Sequence, residues 1–195
     1  MLIEARVDQA LERLYEQSGE RDALVRHLQR RLERCSGEQR AALQRRLTGL
    51  SLESGALAEA LTAIEQLAQT GEATEGLLER LFQRSVELGE RPGAREAGRR
   101  AAELLRQHYE SAQKPGEAAR LLRAELALPL ETRERQELLG ALSRLCEREL
   151  DDLPGAFEAQ RQLFELSLSE RERERKRLEK LGKKLGLSAE LGEIY

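Results

Sequence analysis

The chain has 195 residues, 35% of them charged, 3% aromatic and none Trp. Leu, Ala, Glu, Arg and Gln dominate, which is the helix-forming set. Val, Ile, Thr, Tyr and Phe are too sparse for strands, so sheet architectures are excluded and an all-α chain is expected. The net charge of −3 is spread over interspersed acids and bases, which argues against a surface aimed at nucleic acid or an anionic membrane.

Apolar residues at three- and four-residue steps mark the helices in turn. Leu2 to Gln17 is the first, striped by Ile3, Val7, Leu11 and Leu14, and Ser18-Gly19 ends it. Arg21 to Cys35 is the second, on Leu24, Leu28 and Leu32. Ser36-Gly37-Glu38-Gln39 has the pattern of a capping box, in which the Ser hydroxyl takes an orphan N–H while Gln39 reaches back. It starts a third helix to about Glu53, on Leu43, Leu47 and Leu50. Ser54-Gly55 closes it, and Ala56 to Gln69 follows on Leu57, Leu61, Ile64 and Leu67. Thr70-Gly71 opens a fifth, on Leu78, Leu81, Phe82 and Val86, before the irregular loop GERPG at 89–93.

Ala94 to Ala112 is a long helix with Ala97, Ala101, Leu104, Leu105, His108 and Tyr109 on one side. Lys114-Pro115-Gly116 stops it, Glu117 to Leu128 comes next, and Pro129 ends that. Residues 138–168 carry the clearest unit. Leu138, Leu139, Leu142, Leu145, Cys146 and Leu150 form one stripe, and Asp151, Asp152, Pro154 and Gly155 break it. Ala156, Phe157, Leu163 and Phe164 form the next stripe. These helices are expected at 130–150 and 154–168. Ser169-x-x-Glu172 caps a last one at 170–185, and the tail LSAELGEIY reads as an unfinished helix. About ten helices joined by loops of roughly two to five residues make successive helices antiparallel.

The two cysteines, Cys35 and Cys146, each sit on an apolar stripe and read as reduced core thiols. Met1 leads directly into helical pattern, without the basic segment and apolar core of a secretion signal. No run approaches ~18 apolar residues, so no membrane span is expected. A cytoplasmic location follows as the expectation.

The helix pairs recur. Tyr109 and Cys146 are 37 residues apart, and each is followed ten residues later by an alanine, Ala119 and Ala156. Ala23-Leu24 and Ala60-Leu61 are also 37 apart, and Gly19 and Gly55 are 36 apart. A helix pair with such a period cannot bury its apolar face alone, so neighbours must stack into an α-solenoid. On these residues the chain resembles the tetratricopeptide repeat family. The best-matching stretches are 11–33, 104–126 and 138–166. The resemblance implies that Tyr15, Tyr109 and Cys146 on first helices pack on Ala23, Ala119 and Ala156 on second helices. Where the family usually carries a small residue, one turn before the tyrosine, this chain has Glu12, Arg106 and Ser143. The closing proline is mostly absent, and the phase between 70 and 113 does not keep a whole repeat.

No stretch carries chemistry. GAREAGRR (Gly93–Arg100) superficially resembles a phosphate-binding loop but lacks the Lys and Ser or Thr after its second glycine, and no strand precedes it. His27 and His108 have no partners at metal-ligand spacing, so neither metal nor cofactor is expected. Glu131, Glu134 and Glu137 follow helical spacing on a polar face. The basic run 171–184 interleaves glutamates that would repel phosphates, and it reads as an exposed terminal helix. Its stripe is only Leu178, Leu181 and Leu185, and its charges are self-paired as Glu172–Lys176 and Glu179–Lys183.

The family resemblance implies that first-helix polar faces line a concave surface that binds a peptide or a partner helix. The matching positions are Arg13 and Gln17, Glu103 and Gln107, and Arg144 and Arg148. The expectation is a single tetratricopeptide-like solenoid over 1–195, cut from a longer array. It would act as a non-catalytic scaffold for a protein partner. The alternative is a helical regulatory or substrate-positioning domain of a larger enzyme. A homodimer through the terminal repeats is also expected if those ends lack polar caps.

Overall fold

A computed structural model describes residues 2–89, 91, 93–167 and 171–187, the first four of them as backbone. Ten α-helices follow one another among these residues, with no strand between them. They are α1 (Leu2–Ser18), α2 (Arg21–Arg34), α3 (Gly37–Ser54), α4 (Leu57–Gln69), α5 (Glu75–Leu88), α6 (Ala94–Ser111), α7 (Pro115–Leu126), α8 (Thr132–Arg148), α9 (Leu153–Leu166) and α10 (Arg171–Leu185). The all-α expectation therefore holds, and most boundaries fall within two residues of those read from periodicity. Ile3's side chain, Glu90 and Pro92 of the GERPG loop, the Ser169 cap and tail positions 188–195 lie outside the described residues.

The differences have local causes. The breaks read at 114–116 and 151–155 are present, after α6 and α8, and Pro115 and Pro154 sit in the first turns of α7 and α9, where the missing N–H costs nothing. Ser36 makes no capping bond, because Gly37 enters α3 left-handed, at φ 57°, and a capping box needs helical geometry from that position. The fifth helix begins at Glu75, five residues after the expected Thr70. Asp152 caps α9, accepting from the Gly155 N–H at 2.9 Å. Gly19 (φ 73°) and Gly55 (φ 84°) follow α1 and α3, so the two glycines of the repeat do the same helix-ending work.

Two compact units make up the chain, Met1–Leu104 and Leu105–Tyr195, and their boundary falls inside α6. In the first unit α1 to α5 pack consecutively, and α3 also touches α5. Leu24, Leu28 and Leu43 form its first core cluster, with Tyr15 and Leu47 against it. Ile64, Leu67 and Leu81 are buried further along. Two expected stripes do not face inward as read. Val7 and Leu14 of α1 are 52% and 58% exposed, and Val86 of α5 is 42% exposed. Helix α1 instead turns Glu12 inward, where it accepts hydrogen bonds from Arg31 of α2 and Arg46 of α3. The two guanidinium partners replace the water that the buried carboxylate loses, so Glu12 can take the inward face.

In the second unit α7, α8, α9 and α10 pack consecutively. Ala119, Leu142, Cys146, Ala156, Phe164, Leu178 and Leu181 lie in one core. Helix α10 is thus not the loosely exposed helix read from its charges: Leu178 and Leu181 are fully buried. Glu172–Lys176 pairs as read, at 3.5 Å, whereas Glu179 lies 3.7 Å from Arg175 and not against Lys183. On α6 Tyr109 is buried, but His108 is exposed beside it, with ring centroids 5.9 Å apart.

Candidate interaction surface

The positions one turn before Tyr15, Tyr109 and Cys146 explain how the helix pairs are joined. Glu12 bonds Arg31, 19 residues on. Arg106 donates to both oxygens of Glu125, also 19 residues on, at 2.5 and 2.6 Å. Ser143 donates to the Ala156 carbonyl at 3.1 Å, with Gln160 Oε1 3.4 Å away, and Gln160 Nε2 donates to Glu174 Oε2 of α10 at 2.5 Å. Glu12, Glu125, Ser143, Gln160 and Glu174 are all buried. In these three pairs the first helix is therefore tied to its second by a polar bridge; the two ion pairs each span 19 residues, and the Ser143–Gln160 contact spans 17. A small residue there would let backbones approach; here a buried bond sets the spacing and the rotation of the pair. Sequence reasoning named Glu12, Arg106 and Ser143 only as departures. The signal that could have found the bridge is a charged residue on an apolar stripe with its opposite 19 residues later.

The expected partner-facing residues are all exposed, and the bridges hold their helices. Arg13 and Gln17 lie one turn apart on α1. Glu103 of α6 accepts from Arg100 at 2.7 Å, and Arg100 also donates to Glu65 of α4 at 3.1 Å, so Glu103 is already engaged. Gln107 lies a turn further on, on the exposed side of α6. Arg144 and Arg148 flank Glu147 on α8.

Glu147 is where α8 meets α10. Lys184 Nζ donates to its Oε1 at 2.7 Å, and Arg177 Nη2 lies 3.7 Å from Oε2. The Lys184 hydrogen bond holds the Glu147 carboxyl below its usual value, with the charges of Lys184, Arg177 and Lys180 adding to the effect against partial burial. The non-local gathering of α10 cations on α8 had no signature in the sequence, because 147 and 184 are 37 residues apart and neither lies on an apolar stripe.

Other features carry less. A cleft of about 470 Å³ in the first unit is lined by Arg21, Leu52, Glu53, Arg80, Gln83, Arg84 and Glu87. Two of its three cations are matched: Arg21 faces Glu53 at 3.7 Å, and Arg84 bonds Glu87 at 2.6 Å. Both cysteines are free, and burial pushes the Cys146 thiol up, so its thiolate is scarce at neutral pH. Gly98, the second glycine of GAREAGRR, packs against Ser85 of α5, a structural role for the residue that gave that stretch its phosphate-loop look. Among the described residues no group of three or more His, Cys, Asp or Glu side chains converges as metal ligands, and no helix is long and apolar enough to cross a membrane. No protein-family model matches the chain, and no curated protein matches it.

Proposed function

We propose that this chain is a tetratricopeptide-like α-solenoid acting as a non-catalytic protein-interaction scaffold, whose first-helix faces hold a peptide or helix of a partner. The carrying observation is the recurring polar bridge between the two helices of a pair, at Glu12–Arg31, Arg106–Glu125 and Ser143–Gln160. The two ion pairs share a 19-residue spacing, which supports a repeated unit, and rigid units that leave polar faces free are what a geometric binder needs. First helices of successive pairs also meet, as α3 with α5 and α8 with α10 through Glu147 and Lys184. Such a row of first helices is the surface a partner segment would lie along. Within the first unit rigid pairs hold Arg13 and Gln17, and within the second Gln107, Arg144 and Arg148, before a partner arrives, which lowers the entropy cost of binding.

The test is affinity capture from a lysate of the source organism, with the chain immobilised beside Arg144→Ala/Arg148→Ala and Arg13→Ala/Gln17→Ala variants. A protein partner held by the chain and lost from at least one variant is the expected result. Capture that ignores both variants, or nucleic acid that salt releases, would overturn the reading.

A further inference from the structure

Arg177, Lys180 and Lys184 follow three- and four-residue steps and share one face of α10. Lys184 and Arg177 converge on Glu147 of α8, which Arg144 precedes by one turn and Arg148 follows. Lys184, Arg177 and Lys180 therefore gather at one half-buried carboxylate, and the charges of Arg144 and Arg148 reach Arg177 beside it. The three glutamates of α10 do not dilute them. Glu172 pairs with Arg175 and Lys176, Glu179 faces Arg175, and Glu174 turns inward to Gln160. Among the described residues, Arg144, Arg148 and Lys180 have no carboxylate within ion-pair reach. The crowding is felt at Arg177, whose guanidinium lies below its usual value through burial first and then through the charges of Arg144 and Arg148, against Glu147 and Glu174.

Like charges held together by a packed core favour any ligand that brings counter-charge in matching geometry. The free arginines offer forks for carboxylates. Cations one helical turn apart are about 5.4 Å apart along the axis, near the roughly 6.6 Å between same-side residues of an extended chain. Base stacking has nothing to use on this face: α8 and α10 carry no aromatic residue, and the nearby Phe157 and Phe164 are buried. From residues 177 to 184 the face runs about 10 Å, short for a nucleic-acid track. We infer that the α8–α10 face docks an extended protein segment with alternating acidic residues, and that Glu147 is its built-in competitor, occupying Lys184 and Arg177 until the segment's carboxylates displace it. This rests on the interaction reading and specifies its partner's chemistry.

The test uses the full chain and three fluorescein-labelled probes: a ten-residue alternating Glu-Ser peptide, its Gln-Ser counterpart, and a ten-nucleotide single-stranded RNA. Anisotropy is read at low and high salt, with every variant first shown by melting to be fully folded at the assay temperature. The Glu-Ser peptide should bind and the Gln-Ser peptide should not. Affinity should fall about tenfold in Arg144→Ala/Arg148→Ala. It should rise in Glu147→Gln, by several-fold, and stay near the parent value in Glu149→Gln, which removes the same charge from an exposed site two residues away. No binding of the acidic peptide, equal gains from the two glutamine variants, or tighter binding of RNA would each overturn the inference. If it fails while lysate capture still yields a partner lost in a variant, the scaffold reading stands with a different partner chemistry.

Discussion

At Gly98 the protein has no room for a methyl group. A Cβ there would stand 2.7 Å from the Cβ of Ser85 and closer still to its Oγ. Two helices approach at a point that only glycine allows, although Gly98 itself has ordinary helical geometry. Replacing it by alanine would gain helix propensity in isolation. In place, Gly98→Ala should overpack the α5–α6 contact and cost about 1–3 kcal/mol in urea unfolding. A variant as stable as the parent would mean that the two helices are not held this close. Ala156, fully buried, shows the same economy of size in the second unit. Cys146 beside it is small, buried and inert, which is how a free thiol behaves as a core residue.

Helices α1 and α2 show why an element's existence and its orientation are separate problems. Both were legible from spacing, and α2 turned the expected Leu24 and Leu28 inward. On α1 the same spacing pointed to Val7 and Leu14, which face out. Rotation of α1 is decided by Glu12 and its arginines and by Asp8, whose Oδ2 lies 3.3 Å from Arg31 Nε. Those partners lie on other helices, where a stripe count cannot see them. The consequence is measurable. Leu28→Ala should cost about 2–5 kcal/mol, as for a filled core site. Leu14→Ala should stay within about 0.5 kcal/mol, as for an open surface. Comparable losses from both would restore the leucine stripe as the buried face.

Over the whole molecule, a net charge of −3 conceals local concentrations of opposite sign. The α8–α10 junction is the clearest, and it titrates. The folded Glu147 carboxyl lies below its usual value, so the unfolded chain binds more protons in the window between the two values. Its contribution is complete above the ordinary carboxylate range, about 4.3, and is lost as pH falls through the depressed folded value. The parent should therefore exceed Glu147→Gln in stability by up to about 1 kcal/mol at neutral pH, as suits a partly exposed ion pair. The gap should close on acidification. Urea melts of both proteins at neutral, mildly acidic and strongly acidic pH give the answer. A gap that stays constant or widens toward acid would contradict the Lys184–Glu147 bond.

The phase of the repeat follows the same division of scale. Stretches 104–126 and 138–166 keep a ten-residue step, from Tyr109 to Ala119 and from Cys146 to Ala156, whereas Tyr15 and Ala23 are eight apart, and the slip between 70 and 113 coincides with α6, a continuous helix that begins in one compact unit and ends in the other. By itself the sequence determined that the chain is helical, where nearly all ten described helices begin and end, and that its helix pairs recur. Those properties depend on residues within a few turns of each other: propensity, periodicity, glycine and proline placement. Only the tertiary structure decided that Glu12, Gln160 and Glu174 are buried while Leu14 is not. It also decided that three cations of the last helix gather at Glu147 of the eighth. Burial of a polar group is settled by whether a partner arrives from elsewhere in the chain to replace the water it loses, and periodicity carries no information about that partner.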